Sequence, residues 1–336
     1  MRAVRLREHG SPEVLAVEEV AAPVADASGT RTADGRVLVD LRTAGLNRRD
    51  ALLREGIPGY RPALPFVLGS DGAGVRRDTG EEVVVSPALR WGTDRRHPTA
   101  KFGLLGTNPD DGGTYAETIA VPEANLVPKP RHLTWAEAGV IALSGMTAYR
   151  ALFTVGRLAK GKSVVVLGAG SGVSTIAVQL AVHAGAKVAV TSSSEDKIAL
   201  AKDLGATCGV LYTDEDWDVA LHQEIGGADL VLDSVGSTLQ ESVNLLRPGG
   251  AVVSMGGTGG GGHVTDFDIR TLYLSHKRIL GTAMGAPQDL RDYMDVVATG
   301  AIDPVVDSVY ALEDVAEAHT QLDSALRYGK IALEIG

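Results

Sequence analysis

Hydrophobic and polar positions follow two rhythms along this chain. Up to about residue 128 they alternate over short stretches broken by turns. "VLVDLRTAG" (Val37 to Gly45) places apolar and polar side chains in turn, the pattern of a strand with one buried face. "GTYAETIAV" (Gly113 to Val121) reads the same way, and "RTADGR" has turn composition. "VPKPRHLT" (Val127 to Thr134) is basic and interrupted by prolines, a boundary signal. Beyond it the rhythm becomes strand, glycine turn, helix, repeated. "SVVVL" (Ser163 to Leu167) is a β-branched run suited to a strand covered on both faces, and a helix is predicted over Thr175 to Ala184. "KVAVT" follows, then "SEDKIALAKDLG", with Ser194 as candidate N-cap, acids in the first turn and Gly205 just past the end. "CGVL", "ADLVLD", "GAVVSM" and "RILGTA" continue the series, so the predicted fold is α/β with a doubly wound parallel sheet. Near the end Pro287 and Gly300 bracket a helix, another follows "ALEDVAEAH", and "KIALEI" reads as a last strand.

Composition narrows the function classes. At 336 residues the chain has room for two domains at roughly 150 residues each. An apolar fraction of 44% excludes a disordered chain. There is no long apolar run and "MRAVRLREHG" is too polar for a signal-peptide core, so a cytoplasmic protein without membrane contact is expected. Net charge is −10 with basic residues scattered, which argues against nucleic acid. Cys208 is the sole cysteine, so neither a disulfide nor a multi-cysteine zinc lobe can form within the chain, and the thiol is expected as a small buried hydrophobe.

Two glycine-rich stretches compete for a phosphate-binding role. "LGAGSGVSTIAVQLA" follows a buried strand and opens a helix, aiming backbone N–H groups and the positive helix end at an anion. Its G-x-G-x-x-V pattern makes Gly168, Gly170, Ser171, Gly172 and Val173 the expected pyrophosphate cradle. "LGSDGAG" (residues 68 to 74) lacks that context, because turn and strand follow it. The "GGTGGGG" run (Gly256 to Gly262) is most simply a loop after a strand. A strand-end acid normally binds the ribose hydroxyls of NAD, but here "VTSSSEDK" supplies Ser192 and Ser193 with Lys197 nearby. Hydroxyls and a cation suit a 2′-phosphate, so NADPH is the expected cofactor.

Several separated motifs carry a family resemblance across the whole chain. They are "AGLNRRDALLREGIPGY", "PFVLGSDGAGV", "GTYAETIAVPEANLVPKP", "ALSGMTAY", "SVVVLGAGSGVS" and "GKIALEIG". Together they resemble the medium-chain dehydrogenase/reductase superfamily, most closely its quinone oxidoreductase-like branch. The resemblance implies a GroES-like, β-rich catalytic domain (residues 1–128 and 287–336), a Rossmann NADP(H) domain (129–286), and a site in the cleft between them. It also implies a homodimer, with "HKRILGTA" as a possible edge. Zinc-dependent members place a cysteine after the "AxG" of the first motif, a histidine in a Gly-His-Glu triplet, and a third ligand ahead of "TAY". Here those positions read Asn47, Ser70 and Leu143, with Asp71 at the triplet's acid. An amide, a hydroxyl and an alkyl group are poor zinc donors, and "ALRWGTDRRHPTAKFG" lacks the four cysteines of the family's structural zinc lobe. No metal is expected.

Without a metal to polarise an alcohol, the resemblance implies hydride transfer to an electrophilic acceptor, a quinone or an α,β-unsaturated carbonyl. Asn47 and Thr147 are implied near the nicotinamide or the substrate oxygen. Tyr60, at the end of "REGIPGY", is the candidate proton relay, with a rim aromatic as the plainer reading. Asp50 is expected to orient its loop. Tyr212 is implied at the adenosine phosphate, Asp233, Gly236 and Gly256 along the cofactor, and Thr282 to Met284 near the carboxamide. The segment after "GAGV" is compressed and the Val24–Arg36 loop is long, which points away from a simple quinone. Alternatives are a dedicated enoyl or alkenal reductase of a biosynthetic pathway, or a cofactor-binding protein with little turnover.

Overall fold

The computed structural model describes residues 1–257, 263–264 and 267–336. Residues 258–262 of the glycine run lie outside that set. The chain divides into two compact units, one of residues 1–143, 286–300 and 304–336, the other of residues 144–285 and 301–303. The first unit therefore runs past the proline-rich Val127–Thr134 stretch to Leu143.

In the first unit, a seven-stranded sheet is built around Val37–Gly45. Asp71–Arg76 pairs antiparallel along one side of it. The other side is shared, with Thr118–Val121 opposite Val37 to Asp40 and Lys330–Glu334 opposite Thr43 to Gly45. Thr118–Val121 departs from simple alternation, being buried throughout. Val37, Val39, Leu41, Val85, Ile331 and Leu333 join one apolar core. Burying each such side chain contributes about 1.5–3 kcal/mol.

The register has a local consequence. Gly45 lies opposite Asp71 on one side and Ala332 on the other. The residues that follow Gly45 thus emerge between the start of Asp71–Arg76 and the start of Lys330–Glu334. Gly45 is glycine because a Cβ would come within 2.7 Å of the Gly139 carbonyl and 3.0 Å of the Asp71 Cβ.

The second unit carries six parallel strands in the order Cys208–Leu211, Lys187–Ser192, Ser163–Val166, Ala228–Asp233, Leu246–Ser254 and Arg278–Gly281. Numbered along the chain this is 3-2-1-4-5-6, the doubly wound order whose switch point falls between the first and fourth strands. Val164, Val165 and Val166 are buried on both faces, as the β-branched run required. The helix expected from Thr175 begins at Gly172, because Ser171 caps it by accepting from the Ser174 N–H at 3.1 Å. Ser194 caps Glu195–Asp203 as expected. Cys208 is half-buried rather than enclosed, and burial pushes its thiol up, away from reactivity.

Candidate functional site

In the second unit, the first strand ends at a turn through Gly168 (φ +72°) and Gly170 (φ +103°) before Gly172–His183 starts. Both values lie in the region that L side chains rarely adopt. A Cβ on Gly168 would meet nothing within 4 Å, so glycine there answers to the backbone conformation and not to a clash. The turn is tied to the neighbouring strand end, with the Ala169 N–H on the Thr191 carbonyl at 2.7 Å and the Gly168 N–H on Thr191 Oγ1 at 3.3 Å. Val173 stands in the first helical turn.

The expected ribose side sits beside this turn. Ser192 is buried and its Oγ accepts from the Ser194 N–H at 3.2 Å; Ser193 is exposed. Lys197 lies in the first turn of Glu195–Asp203. Tyr212 follows the third strand, half-exposed, with its N–H on the Ser192 carbonyl at 2.9 Å.

Asp233 has a different arrangement from that of a ligand-facing acid. It is fully buried, Oδ1 accepts from the N–H groups of Val235 and Gly236 at 2.8 Å each, and Oδ2 accepts from Ser242 Oγ at 3.0 Å. It holds its own turn. Gly236 (φ +82°) packs there, a Cβ on it coming within 3.0 Å of the Gly256 carbonyl. Gly256 in turn is pressed against Ser234. Thr282 Oγ1 accepts from Arg150 Nε at 2.9 Å, Met284 is buried at φ +56°, and Thr147 is buried on Ala142–Tyr149. Asn47 and Tyr60 belong to the first unit, Thr147 and the residues expected along the cofactor to the second.

The first unit brings together Asn47, Asp71 and Lys330, all buried. Lys330 Nζ donates to the Leu46 carbonyl at 2.6 Å, to Asn47 Oδ1 at 2.6 Å and to Asp71 Oδ2 at 3.2 Å. Asn47 Nδ2 donates to Asp71 Oδ2 at 3.0 Å and, loosely, to the Gly45 carbonyl at 3.4 Å. The Leu143 N–H donates to Asp71 Oδ1 at 2.6 Å. Burial pushes the Asp71 carboxyl up and the Lys330 ammonium down, and their contact opposes both shifts. Three donors on the carboxylate and three acceptors on the ammonium fit the ionised pair.

Asp50 extends the cluster. Its Oδ2 accepts from the Asn47 N–H at 2.9 Å and from the Tyr115 hydroxyl at 2.9 Å, while Oδ1 is buried without a partner. Burial pushes this carboxyl up to about 6. Beyond Tyr115, the His319 ring meets it edge-on and is held neutral, its value pushed down to about 3 by burial and by Arg54. Arg54 Nη1 contacts His319 Nδ1 at 3.2 Å. Tyr60 is half-buried against this core, with the Arg49 guanidinium 5.7 Å from its ring centre.

This chemistry does not fit a tightly held zinc. Ser70 Oγ donates to the Leu105 carbonyl at 2.8 Å, Leu143 offers an alkyl group, and both ends of the Asn47 amide are engaged. Among the described residues no group of three His, Cys, Asp or Glu side chains could hold a metal. The lobe where zinc-type members carry four cysteines is closed by other means. Arg90 grips Asp111 with two bonds of 2.7 and 2.8 Å, and Trp91 meets Phe102 edge-on at 5.3 Å. Lys330 is not among the residues the sequence pointed to, where its one signal is a lysine heading the apolar run Ile331 to Leu333.

The model for the alcohol dehydrogenase GroES-like domain matches residues 33–131, and that for zinc-binding dehydrogenases matches residues 172–299. A zinc-type alcohol dehydrogenase-like protein of Schizosaccharomyces pombe is 33% identical, over 90% of this chain and 91% of its own. A 2-methylene-furan-3-one reductase of Solanum lycopersicum is 31% identical over 99% and 79%. The quinone oxidoreductase of Homo sapiens is 28% identical over 96% and 94%. The crystal structure of an NAD-dependent alcohol dehydrogenase superimposes with a TM-score of 0.90 at 34% identity, each chain covered fully. Among the described residues no helix is long and apolar enough to cross a membrane.

Proposed function

The chain belongs to the medium-chain dehydrogenase/reductase superfamily, and we propose that it is an NADPH-dependent, zinc-independent reductase of quinones or α,β-unsaturated carbonyls. The observation that carries this reading is the side chains at the zinc-donor positions. Asn47 and Asp71 are locked onto Lys330, and Leu143 offers no donor, while the glycine turn of the nucleotide unit is kept. Donors that do not hold zinc offer no Lewis acid to help form an alkoxide, whereas hydride transfer to an already electrophilic carbon needs little more than positioning.

NADPH supplies the hydride. The turn from Gly168 to Val173 would hold its pyrophosphate, and Ser192, Ser193 and Lys197 its 2′-phosphate, with Tyr212 beside the adenosine. Bound there, NADPH would supply hydride for the β-carbon of the enone while a proton goes to the α-carbon, which balances to the saturated carbonyl and NADP+. Asn47 and Thr147 are assigned to orient the substrate oxygen, Tyr60 to relay the proton, and Thr282 to Met284 to line the carboxamide. The relative named for reduction of a methylene furanone, an enone, favours the unsaturated carbonyl over the quinone. Assembly as a homodimer through the edge strand Arg278–Gly281, where Ile279 is exposed, goes with this reading.

The test is NADPH oxidation measured against naphthoquinone, cyclohexenone and aliphatic enals, with kcat/KM compared for NADPH and NADH. Turnover of an enone or quinone with NADPH preferred supports the reading. A preference for NADH, as the name of the structural neighbour suggests for that protein, would overturn the cofactor assignment. One zinc per subunit by elemental measurement would overturn zinc independence.

A further inference from the structure

Asn47 is a symmetric-looking amide whose two ends have opposite chemistry, and its surroundings choose between them. On one side stands Lys330 Nζ, a donor with no acceptor capacity, 2.6 Å from Oδ1; on the other stands Asp71 Oδ2, 3.0 Å from Nδ2. The ammonium has three hydrogens, and three acceptors take them: the Leu46 carbonyl, Asn47 Oδ1 and Asp71 Oδ2. Lys330 therefore has no hydrogen left for a substrate. Asn47 is less fully committed: of its two Nδ2 hydrogens one goes to Asp71 at 3.0 Å, and the other reaches the Gly45 carbonyl over a long 3.4 Å that a better-placed acceptor can replace. Register makes this arrangement rigid. Asp71 and the strand headed by Lys330 flank the end of Val37–Gly45, and the Leu46 N–H is fastened to the Ile331 carbonyl at 2.9 Å.

We propose that Lys330 is a positioning residue of the reductase: it fixes Asn47 in the one amide orientation that presents Nδ2, a donor, to the acceptor's carbonyl oxygen. With the orientation reversed, Oδ1 would face Asp71 and repel it, and the loosely held position would turn from donor to acceptor. The inference rests on the reductase reading, because an oxygen that gains charge on hydride transfer is what a fixed donor serves.

Lys330→Gln, Lys330→Arg, Asn47→Ala and the Lys330→Gln/Asn47→Ala double variant test it, with cyclohexenone and naphthoquinone as acceptors. Lys330→Gln is expected to lower kcat about 10-fold or more while KM for NADPH stays within about 2-fold, and Lys330→Arg, which still donates, to restore most of the loss. In the Asn47→Ala background the Lys330→Gln effect should vanish. A double variant as slow as the product of the two single losses, or a kcat for Lys330→Gln within about 2-fold of the parent, overturns the proposal. A second readout is independent of turnover and so separates failure of this inference from failure of the reductase reading. The Asn47 side-chain amide protons, assigned in NMR spectra by their loss in Asn47→Ala, should exchange with water at least about 10-fold faster in Lys330→Gln. Unchanged exchange overturns the proposal even for a protein that reduces neither acceptor.

Discussion

The two glycine-rich stretches, residues 68 to 74 and 168 to 173, look alike in sequence and do opposite things. In the first, glycines make room for the protein itself. A Cβ on Gly69 would strike the Tyr115 ring at 2.3 Å, on Gly72 the Thr114 side chain at 3.1 Å, and on Gly74 the Asp40 carbonyl at 2.2 Å. In the second, a Cβ on Gly168 would meet nothing within 4 Å, and its φ of +72° is what calls for glycine. The first stretch ends up holding one side chain, Asp71, at the centre of a charged cluster. The second offers backbone. Glycine content therefore reports close approach, and only the elements on either side tell what is approaching.

The largest effect that would sharpen this contrast comes from Lys330→Met. Removing the cation leaves Asp71 as an uncompensated buried charge, with an expected loss of about 3–5 kcal/mol in urea unfolding. The double variant Lys330→Met/Asp71→Asn should recover much of it, since both charges go. If Lys330→Met alone is as stable as the parent, Asp71 is not held as an ion. Gly74→Ala comes next. Its new methyl meets backbone that has nowhere to move, so about 1–3 kcal/mol of stability should be lost with NADPH affinity unchanged in the folded fraction. A loss of affinity without a loss of stability would place the first stretch in the cofactor site after all.

These expectations also mark where sequence reading succeeds. The second unit was legible because its signals are local: a β-branched strand, a glycine turn and a capped helix lie within a score of residues, and repeating them points to a parallel sheet. The same local logic could not tell that Asp233, at a strand end, has its oxygens taken up by Val235, Gly236 and Ser242. The candidate site of the first unit was legible only in what it lacks. Asn47, Ser70 and Leu143 could be seen as poor zinc donors, yet nothing near them pointed to Lys330, which arrives from the far end of the chain by strand register. Contacts of that range leave no periodic trace in sequence.

Asp50 gives a smaller and pH-dependent effect within the same cluster. Its carboxyl is raised to about 6 in the folded protein, against roughly 4 when unfolded. The native state then holds its proton more tightly, so this group's contribution to stability is greatest below about pH 4 and is lost as pH rises through about 6. Asp50→Asn should abolish that decline and stabilise the protein by on the order of 2 kcal/mol at about pH 8, measured by urea unfolding at both pH values. An asparagine keeps the partnered side of the group, since its carbonyl can accept from Tyr115 and Asn47. Parallel pH dependence in variant and parent would show that Asp50 stays ionised through the range.

Gly168→Ala should have the smallest effect on stability and a specific effect on function. At φ +72° an alanine is strained, which costs about 1 kcal/mol, and no neighbour clashes. The methyl would stand on the open backbone surface of the turn, where a pyrophosphate has to come close to the N–H groups at the helix start. The expected result is a rise in Kd for NADPH of about 10-fold or more, equivalent to about 1.4 kcal/mol, with the melting temperature lowered only slightly. Isothermal titration separates the two outcomes. If Gly168→Ala binds NADPH as the parent does, the second stretch is conformational glycine like the first, and the contrast between them collapses.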